Sequence, residues 1–507
     1  MSKQILVQPT TKINHNCSNS FNYKYSLLIL LVSILIYILY STYINSVDAI
    51  QLSYIVYIDA GSSGSRIHVH SYSKNSTLPY VISSHSHKLK PGIHKLSDQL
   101  IQQQIQQLIN YSYNIVPYEL YRNTEIYFGG TGGLRSVPIP QQNNILNIVA
   151  HTFSTSQFSY HIDNVRLIDG QDEGINGWIA TNYLLGNLVS NTEQTTGVIE
   201  LGGASLQVTY ALANYSTPHH QYSDHGIDIK QHYADPYEHN DVVDVHLGPQ
   251  HYTVYTRSYL NYGLERAQDI LLYHMDQHVL IDGHPCYVDG TPDELICNML
   301  NTSTPGKLTG NYSACVNLIQ QLFDYTQTDQ CIDNIEQCQL ELLNIPLIDN
   351  NTKFIAIENI YYTSAFFNVQ DNHDWLHQLQ QRGIQLCSSN WSQLIDEYPD
   401  EPVNDLMKYC FSSSYIPYLL QYGLELDLSR TQPIRYINDQ PIDWCLGDII
   451  RIIMQQHDST SYTLNVLLGS VSGSIALYMI LRVLLLSSTN GVTSIQSIQI
   501  NNKQYKN

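Results

Sequence analysis

The sequence predicts an α/β protein made of two duplicated halves, with an apolar segment at each end of the chain. Three observations predict it. Tyr54-Ile55-Val56-Tyr57-Ile58-Asp59 is a β-branched and aromatic run ending in an acid; the small-residue turn Ala60-Gly61-Ser62-Ser63-Gly64-Ser65 follows, then Arg66-Ile67-His68-Val69-His70 alternates with period 2. That pattern is strand, turn, strand. Gly197 to Tyr210 repeats it: Glu200 matches Asp59, Gly202 matches Gly61, and Gly203-Ala204-Ser205 completes a second small-residue turn. The third observation is a pair of long apolar runs, 26–44 and 464–486, one on each side of the duplicated part.

Residues 1–25 are polar and read as a tail. Residues 26–44, SLLILLVSILIYILYSTYI, are about long enough to cross a bilayer. Lys3, Lys12 and Lys24 precede them and Asp48 follows, which puts the N-terminus in the cytosol. A signal peptide cut after Ala49 is the competing reading, and the long polar leader and long core favour a retained anchor. In 464–486, Arg482 lies near the end and snorkels to the interface; Lys503 and Lys506 follow without an acid, so residues 487–507 are expected in the cytosol. Gly469 and Gly473 offer a face for helix association and homo-oligomers, although small residues also simply tolerate lipid.

The segment between the anchors is expected outside the cell or in a secretory lumen. Eight of the nine cysteines lie in it (Cys286, Cys297, Cys315, Cys331, Cys338, Cys387, Cys410 and Cys445), which suits disulfides in an oxidising compartment. Glycosylation sequons begin there at Asn75, Asn110, Asn214, Asn301, Asn311, Asn350 and Asn390. No Cys-x-x-Cys pair suggests structural zinc. With 24 Lys+Arg against 44 Asp+Glu, a net charge of −20 argues against nucleic-acid binding. A hydrophobic fraction of 43% is enough for packed cores.

After the opening hairpin, apolar spacing over 96–115 predicts an amphipathic helix. Glu125 to Phe128 reads as a strand that empties into Gly129-Gly130-Thr131-Gly132-Gly133-Leu134-Arg135; Ile145 to Phe153 reads as helix and Val165 to Ile168 as strand. A helix follows up to Gly186, with Glu173 at or just before its N-terminus. There an acid serves either the helix dipole or a ligand. Tyr215 to Tyr252, rich in His and Asp, reads as a solvated loop rather than a metal cluster. Tyr255 to Tyr273 reads as a turn into a helix, Phe354 to Phe367 as a core segment, and Trp444 begins a last helix.

A Gly/Ser turn by itself is compatible with a plain hairpin. Its repetition points to two phosphate-facing loops, because small residues admit close backbone approach and turn amides and hydroxyls surround anions.

In this order, Asp59 to Ser63, Thr131 to Arg135, Gly170 to Gly186, Glu200 to Ser205, Ser258 to Gly263 and Trp444 to Gly447 resemble the signature regions of the apyrase family of nucleoside triphosphate diphosphohydrolases. The resemblance implies an actin-like (ribonuclease H-like) fold, with 51–168 plus 437–462 as lobe I and 169–436 as lobe II. It implies release of terminal phosphates from nucleoside tri- and diphosphates with Ca²⁺ or Mg²⁺. Glu173 would be the base that activates water, helped by Ser205 and Gln207. Gly61, Ser62, Ser63, Gly64, Thr131, Gly202, Gly203 and Ala204 would hold phosphate. Asp59 and Glu200 would hold the metal through its waters. Tyr362 would stack on the base, and Arg66 and Arg135 are charge candidates. Pairing of Cys331 with Cys338 and of Cys387 with Cys410 is implied in the same way.

The sequence departs from the family pattern in places. Glu200 stands where Asp is usual, Gly130-Thr131-Gly132-Gly133 where Ala-Thr-Ala-Gly is usual, and Asn176 where an apolar or aromatic residue is usual; 404–408 lacks the Arg that covers the base in some relatives. Competing functions are a Golgi-type nucleoside diphosphatase, a phosphotransferase of the same fold, and an inactive nucleotide-binding surface protein.

Overall fold

Two mixed β-sheets carry the same strand order. The computed structural model describes residues 30–35, 37–38, 41, 52–73, 78–189, 195–212, 241–248, 250–275, 283–295, 307–325, 352–424 and 428–455. The first sheet is built from β1 (Ser53–Ala60), β2 (Ser65–Ser73), β3 (Tyr80–Leu89), β4 (Glu125–Gly130) and β5 (Val165–Leu167), in the order β3-β2-β1-β4-β5. The second comprises β6 (Gly197–Leu201), β7 (Ser205–Ala211), β8 (Val242–Leu247), β9 (Gln250–Leu260), β10 (Phe354–Glu358) and β11 (Thr431–Pro433), in the order β11-β10-β6-β7-β9-β8. Read from the other edge, β9-β7-β6-β10-β11 repeats the first sheet, with β8 added outside. In both, the first three strands pair antiparallel and the last three parallel.

Each sheet is covered on both faces, which is why its central strands read as unbroken apolar runs. In the first, Val56 and Ile58 face α1 (Asp98–Tyr113) and α2 (Ile139–Ser154), through Ile101, Ile105, Leu108, Val149 and Phe153. Ile55 and Tyr57, on the opposite face by strand alternation, pack with Trp444, Ile449 and Ile453 of the last helix, residues 444–455. In the second, Ile199 and Val208 belong to the core beneath the helices of the 264–418 region. Val198, Val254 and Ile357 face Ile175, Trp178 and Ile179 of α3 (Gly170–Leu185).

The two central helices exchange partners. α3 follows a strand of the first sheet but covers the second, whereas helix 444–455 follows the second and covers the first. They cross at Gly447, where a Cβ would lie 1.9 Å from the Asn176 carbonyl oxygen. Polar links fix the crossing. Asp448 accepts from the Tyr57 hydroxyl at 2.7 Å and from Arg166. Arg451 donates to Asp172 at 2.9 Å and to Asn176 at 3.0 Å.

Two expectations need correction. The loop reading of Tyr215 to Tyr252 fails at its end: 242–247 is β8 and β9 starts at Gln250. The turn expected from Tyr255 is also β9, which runs to Leu260 before α4 (Leu264–Met275). Tyr252 to Thr256 are buried in succession, so period-2 alternation is lost. Strand β3 gave no signal, because its sequence YVISSHSHKL lies at an edge with a largely exposed, polar surface.

Disulfides join Cys286 to Cys315 and Cys387 to Cys410, and Cys445 is a buried free thiol. Cys331 and Cys338 lie outside the described residues, as does the apolar run 464–486. Helix is described at 30–35, 37–38 and 41 within the first apolar run. Among the described residues, no helix is long and apolar enough to cross a membrane.

Candidate active site

The two small-residue turns close with the same hydrogen bond. Gly61 N–H donates to the Gly64 carbonyl at 3.0 Å, and Gly202 N–H donates to the Ser205 carbonyl at 2.9 Å. The turns face each other across the cleft between the lobes: a Cβ on Gly203 would come within 2.2 Å of Ser62 Oγ, so a larger residue would push the Ser62 hydroxyl aside. The Thr131 loop joins them through a hydrogen bond from its N–H to the Ala60 carbonyl at 3.2 Å. The cleft encloses about 670 Å³ with its open mouth included.

Alternation along β1 and β6 decides where their acids go. Asp59 shares the face of Ile55 and Tyr57, towards the segment that carries Asp443; Glu200 shares the face of Val198, towards α3 and Glu173. Asp59 Oδ1 and Glu200 Oε2 are buried without a hydrogen-bond partner among the described residues. Burial, then Asp443, pushes the Asp59 carboxyl well above the usual carboxylate range. Burial, then Glu173 and Glu358, does the same to Glu200. Burial also raises Glu358, although Arg66 opposes it. For Asp443 burial acts upwards too, but His68 and Arg66 outweigh it and hold the carboxyl down to about 2.

Acidic side chains thus crowd a cleft whose lining cations are Arg66 and Lys88. Unpartnered buried carboxylate oxygens on both lobes are the donor set a hard divalent cation prefers. Asp59 and Glu200 therefore fit such an ion.

Glu173 sits in the first turn of α3, inside the helix rather than before it; Asp169 is the N-cap and its side chain accepts from Asp172 N–H at 2.7 Å. Glu173 Oε2 accepts from Arg135 at 2.8 Å and from Gln207 Nε2 at 3.2 Å. Ser205 Oγ accepts from the same two groups, at 3.1 Å and 2.9 Å. Arg135 is anchored by a further bond to the Ile168 carbonyl at 2.9 Å, and Gln207 by one to Ser258 Oγ at 3.1 Å. The carboxylate is buried yet lines the cleft, so its direction is set by groups from both lobes.

The structure brings Asp59, Gly61, Ser62, Ser63, Gly64, Thr131, Glu173, Glu200, Gly202, Gly203, Ala204 and Ser205 to one cleft, with Gln207 directly behind Glu173. Tyr362 adjoins that lining, its hydroxyl hydrogen-bonded to Arg66, which lines the cleft. Its ring lies under the Arg435 guanidinium, 4.8 Å from the ring centre. Lys408, in the stretch where some relatives carry a base-covering Arg, bonds Glu265 at 3.3 Å.

Sequence reasoning missed Lys88, Glu358, Asp443 and Arg435. Lys88 pairs opposite Arg66 across β2 and β3 and donates to Ser63 Oγ at 2.9 Å. Glu358 closes β10 with a φ of 57°, a left-handed value rare outside glycine, and that backbone irregularity carries no sequence mark.

A model of the GDA1/CD39 (nucleoside phosphatase) family matches residues 46–464. The chain belongs to this family. It is 30% identical to "Probable apyrase 3" of Arabidopsis thaliana over 79% of this chain and 82% of that protein. It is 25% identical to "Ectonucleoside triphosphate diphosphohydrolase 3" of Homo sapiens over 85% of this chain and 84% of that protein. It is 24% identical to "Golgi apyrase" of Schizosaccharomyces pombe over 75% and 68%. A crystal structure of a nucleoside triphosphate hydrolase from Neospora caninum superposes with a TM-score of 0.54 at 13% identity, covering 84% of this chain and 97% of that one. The fold is the actin-like two-lobe α/β fold, and the protein is a hydrolase of the nucleoside phosphatase family.

Two departures of this nucleoside phosphatase from the family pattern have structural partners. Asn176 accepts from Arg451 of the last helix. Glu200 reaches to α3 at Gly177, where a Cβ would lie 3.0 Å from Glu200 Oε2. Gly177→Ala should therefore crowd the longer carboxylate while raising helix propensity by about 1 kcal/mol. The expected result is a several-fold loss of phosphate release without a lower thermal midpoint, partly recovered in Gly177→Ala/Glu200→Asp. Equal activity of Gly177→Ala and wild type would show that Glu200 has room to spare.

Proposed function

We propose that the chain is a membrane-anchored apyrase that hydrolyses the terminal phosphates of nucleoside tri- and diphosphates. The observation that carries this reading is the Glu173 carboxylate, oriented by Arg135 and Gln207 at the wall of a cleft between two phosphate-sized turns. Phosphoryl transfer to water needs positioning and charge neutralisation more than covalent help. Glu173 takes a proton from the attacking water as its oxygen approaches the terminal phosphorus, and Ser205 and Gln207 hold that water in line. Ser62, Ser63, Thr131 and the amides of both turns hold the phosphate oxygens, with Lys88 fixing the Ser63 hydroxyl. A Ca²⁺ or Mg²⁺ ion held by Asp59 and Glu200, through its waters, would neutralise phosphate charge. Tyr362 carries the base by stacking, and Arg435 supplies the cationic neighbour that 404–408 lacks.

In this reading residues 51–168 plus 437–462 form lobe I and 169–436 form lobe II. Residues 26–44 and 464–486 cross the membrane, both termini are cytosolic, and the lobes face the exterior or a lumen. Exposed sequon asparagines at Asn110, Asn311 and Asn390 are consistent with that side. The Golgi relative supports a second reading, a lumenal diphosphatase acting on GDP or UDP.

Phosphate release by the full chain in detergent, with ATP, ADP, GDP and UDP and with Ca²⁺ or Mg²⁺, separates the readings. Cleavage of ATP and ADP, abolished by chelation, supports the apyrase. Cleavage of GDP and UDP alone supports the diphosphatase. Silence on every nucleotide with both ions would sink both.

A further inference from the structure

Behind the cleft, three chemically different ligands converge. His68 comes from β2, and Asp443 and Cys445 come from the start of helix 444–455. All three are buried, and one ligand atom from each lies within 4.8 Å of the other two. A buried His–Asp–Cys group is ordinarily explained by hydrogen bonding, and here that explanation is incomplete. The Cys445 N–H donates to Asp443 Oδ1 at 2.9 Å. His68 Nε2, however, lies 3.2 Å from Asp443 Oδ2 without the alignment of a hydrogen bond and has no such partner among the described residues. The imidazole is 3% exposed, so the ring is withdrawn from bulk solvent. His70, two residues on and stacked 6.1 Å from His68, also has both ring nitrogens buried without a partner. A cavity lined by His68, His70, Tyr183 and Asp443 adjoins the group.

We propose that His68, Asp443 and Cys445 form a second metal site, for a borderline divalent ion such as Zn²⁺, and that its occupation lowers hydrolysis in the cleft. One nitrogen, one thiolate and one carboxylate oxygen suit Zn²⁺ or Co²⁺ and not Ca²⁺ or Mg²⁺, which select all-oxygen sites. Metal–ligand bonds of about 2.0–2.3 Å draw the three atoms closer than they stand now. The adjoining cavity leaves room for water as the fourth ligand. Binding displaces the Cys445 proton to solvent as the thiolate forms. The link to the cleft is Asp443. Its Oδ2 pairs with Arg66 at 3.2 Å, and both residues line the cleft, so a metal that takes this carboxylate loosens Arg66. The metal-binding part of the proposal stands apart from the substrate assignment; only the effect on hydrolysis rests on that reading.

The test uses the full-length chain in detergent, stripped of metal, with excess Mg²⁺ and a non-hydrolysable ADP analogue occupying the cleft. Titration with Co²⁺ should produce a thiolate-to-cobalt charge-transfer absorption saturating at about one equivalent and removed by Zn²⁺. Cys445→Ser should abolish the band, and His68→Gln should weaken Co²⁺ uptake at least tenfold. Both variants should keep Mg²⁺-dependent phosphate release and lose most of the inhibition that Zn²⁺ causes in wild type. No thiolate band in wild type, or the same band in Cys445→Ser, would overturn the site. A band that depends on Cys445 together with equal Zn²⁺ inhibition in all three proteins would overturn its coupling to the cleft.

Discussion

Glu173→Gln lowers phosphate release roughly 10²- to 10⁴-fold. The substitution preserves size and both neighbours but removes the group that takes the proton from water. Glu173 Oε2 is held by Arg135 at 2.8 Å and Gln207 at 3.2 Å, so its direction comes from two lobes and its basicity from its own charge. A glutamine keeps one acceptor oxygen for these donors, and the half-buried Arg135 loses only its counter-charge. Circular dichroism and nucleotide binding should therefore stay near wild type while turnover falls. The measurement is phosphate release at saturating ATP with the preferred divalent ion, beside a binding titration. Retention of activity within threefold would move the base elsewhere in the cleft, and Glu358 would become the first residue to examine, since it also lines it.

Gly447→Ala should cost about 1–3 kcal/mol of stability, and activity should fall further than the unfolded fraction explains. The new methyl would stand 1.9 Å from the Asn176 carbonyl oxygen, and backbone does not step aside as a flexible side chain would. Neither helix is free to retreat. Trp444 and Ile449 are buried against the first sheet, and Arg451 ties the last helix to Asp172 and Asn176. The crossing must widen, and that shifts Asp443 and Trp444 against Glu173 across the cleft. Thermal unfolding and phosphate release well below the melting transition check the two effects separately. A variant with wild-type stability would mean that the crossing yields.

The local chemistry of this protein is written in short stretches. Asp59 to Ser63 and Glu200 to Ser205 each combine a β-rich run, an acid and a small-residue turn, and both fold as read because strand alternation and turn geometry are local properties. Glu173 was legible as a helix-start acid, although the helix begins earlier, at Gly170. Other residues of the cleft carry no local signal. Lys88 lies on a polar edge strand, Glu358 ends a core strand, and Asp443 sits in an unpatterned loop. They enter the site only because β3 pairs with β2, β10 with β6, and the last helix returns to the first sheet.

By itself, then, the sequence determined the duplicated strand-turn-strand units, the turn chemistry and the identity of the acids at their necks. Each depends on a few neighbouring residues and on backbone sterics. The tertiary structure alone decided which charges meet those acids and how far Glu200 reaches. It also decided that Arg135 and Gln207 aim Glu173, and that Cys445 stands beside His68 and Asp443. These are distances between segments far apart in the chain, set by two exchanged helices whose crossing leaves no room for a methyl group at Gly447.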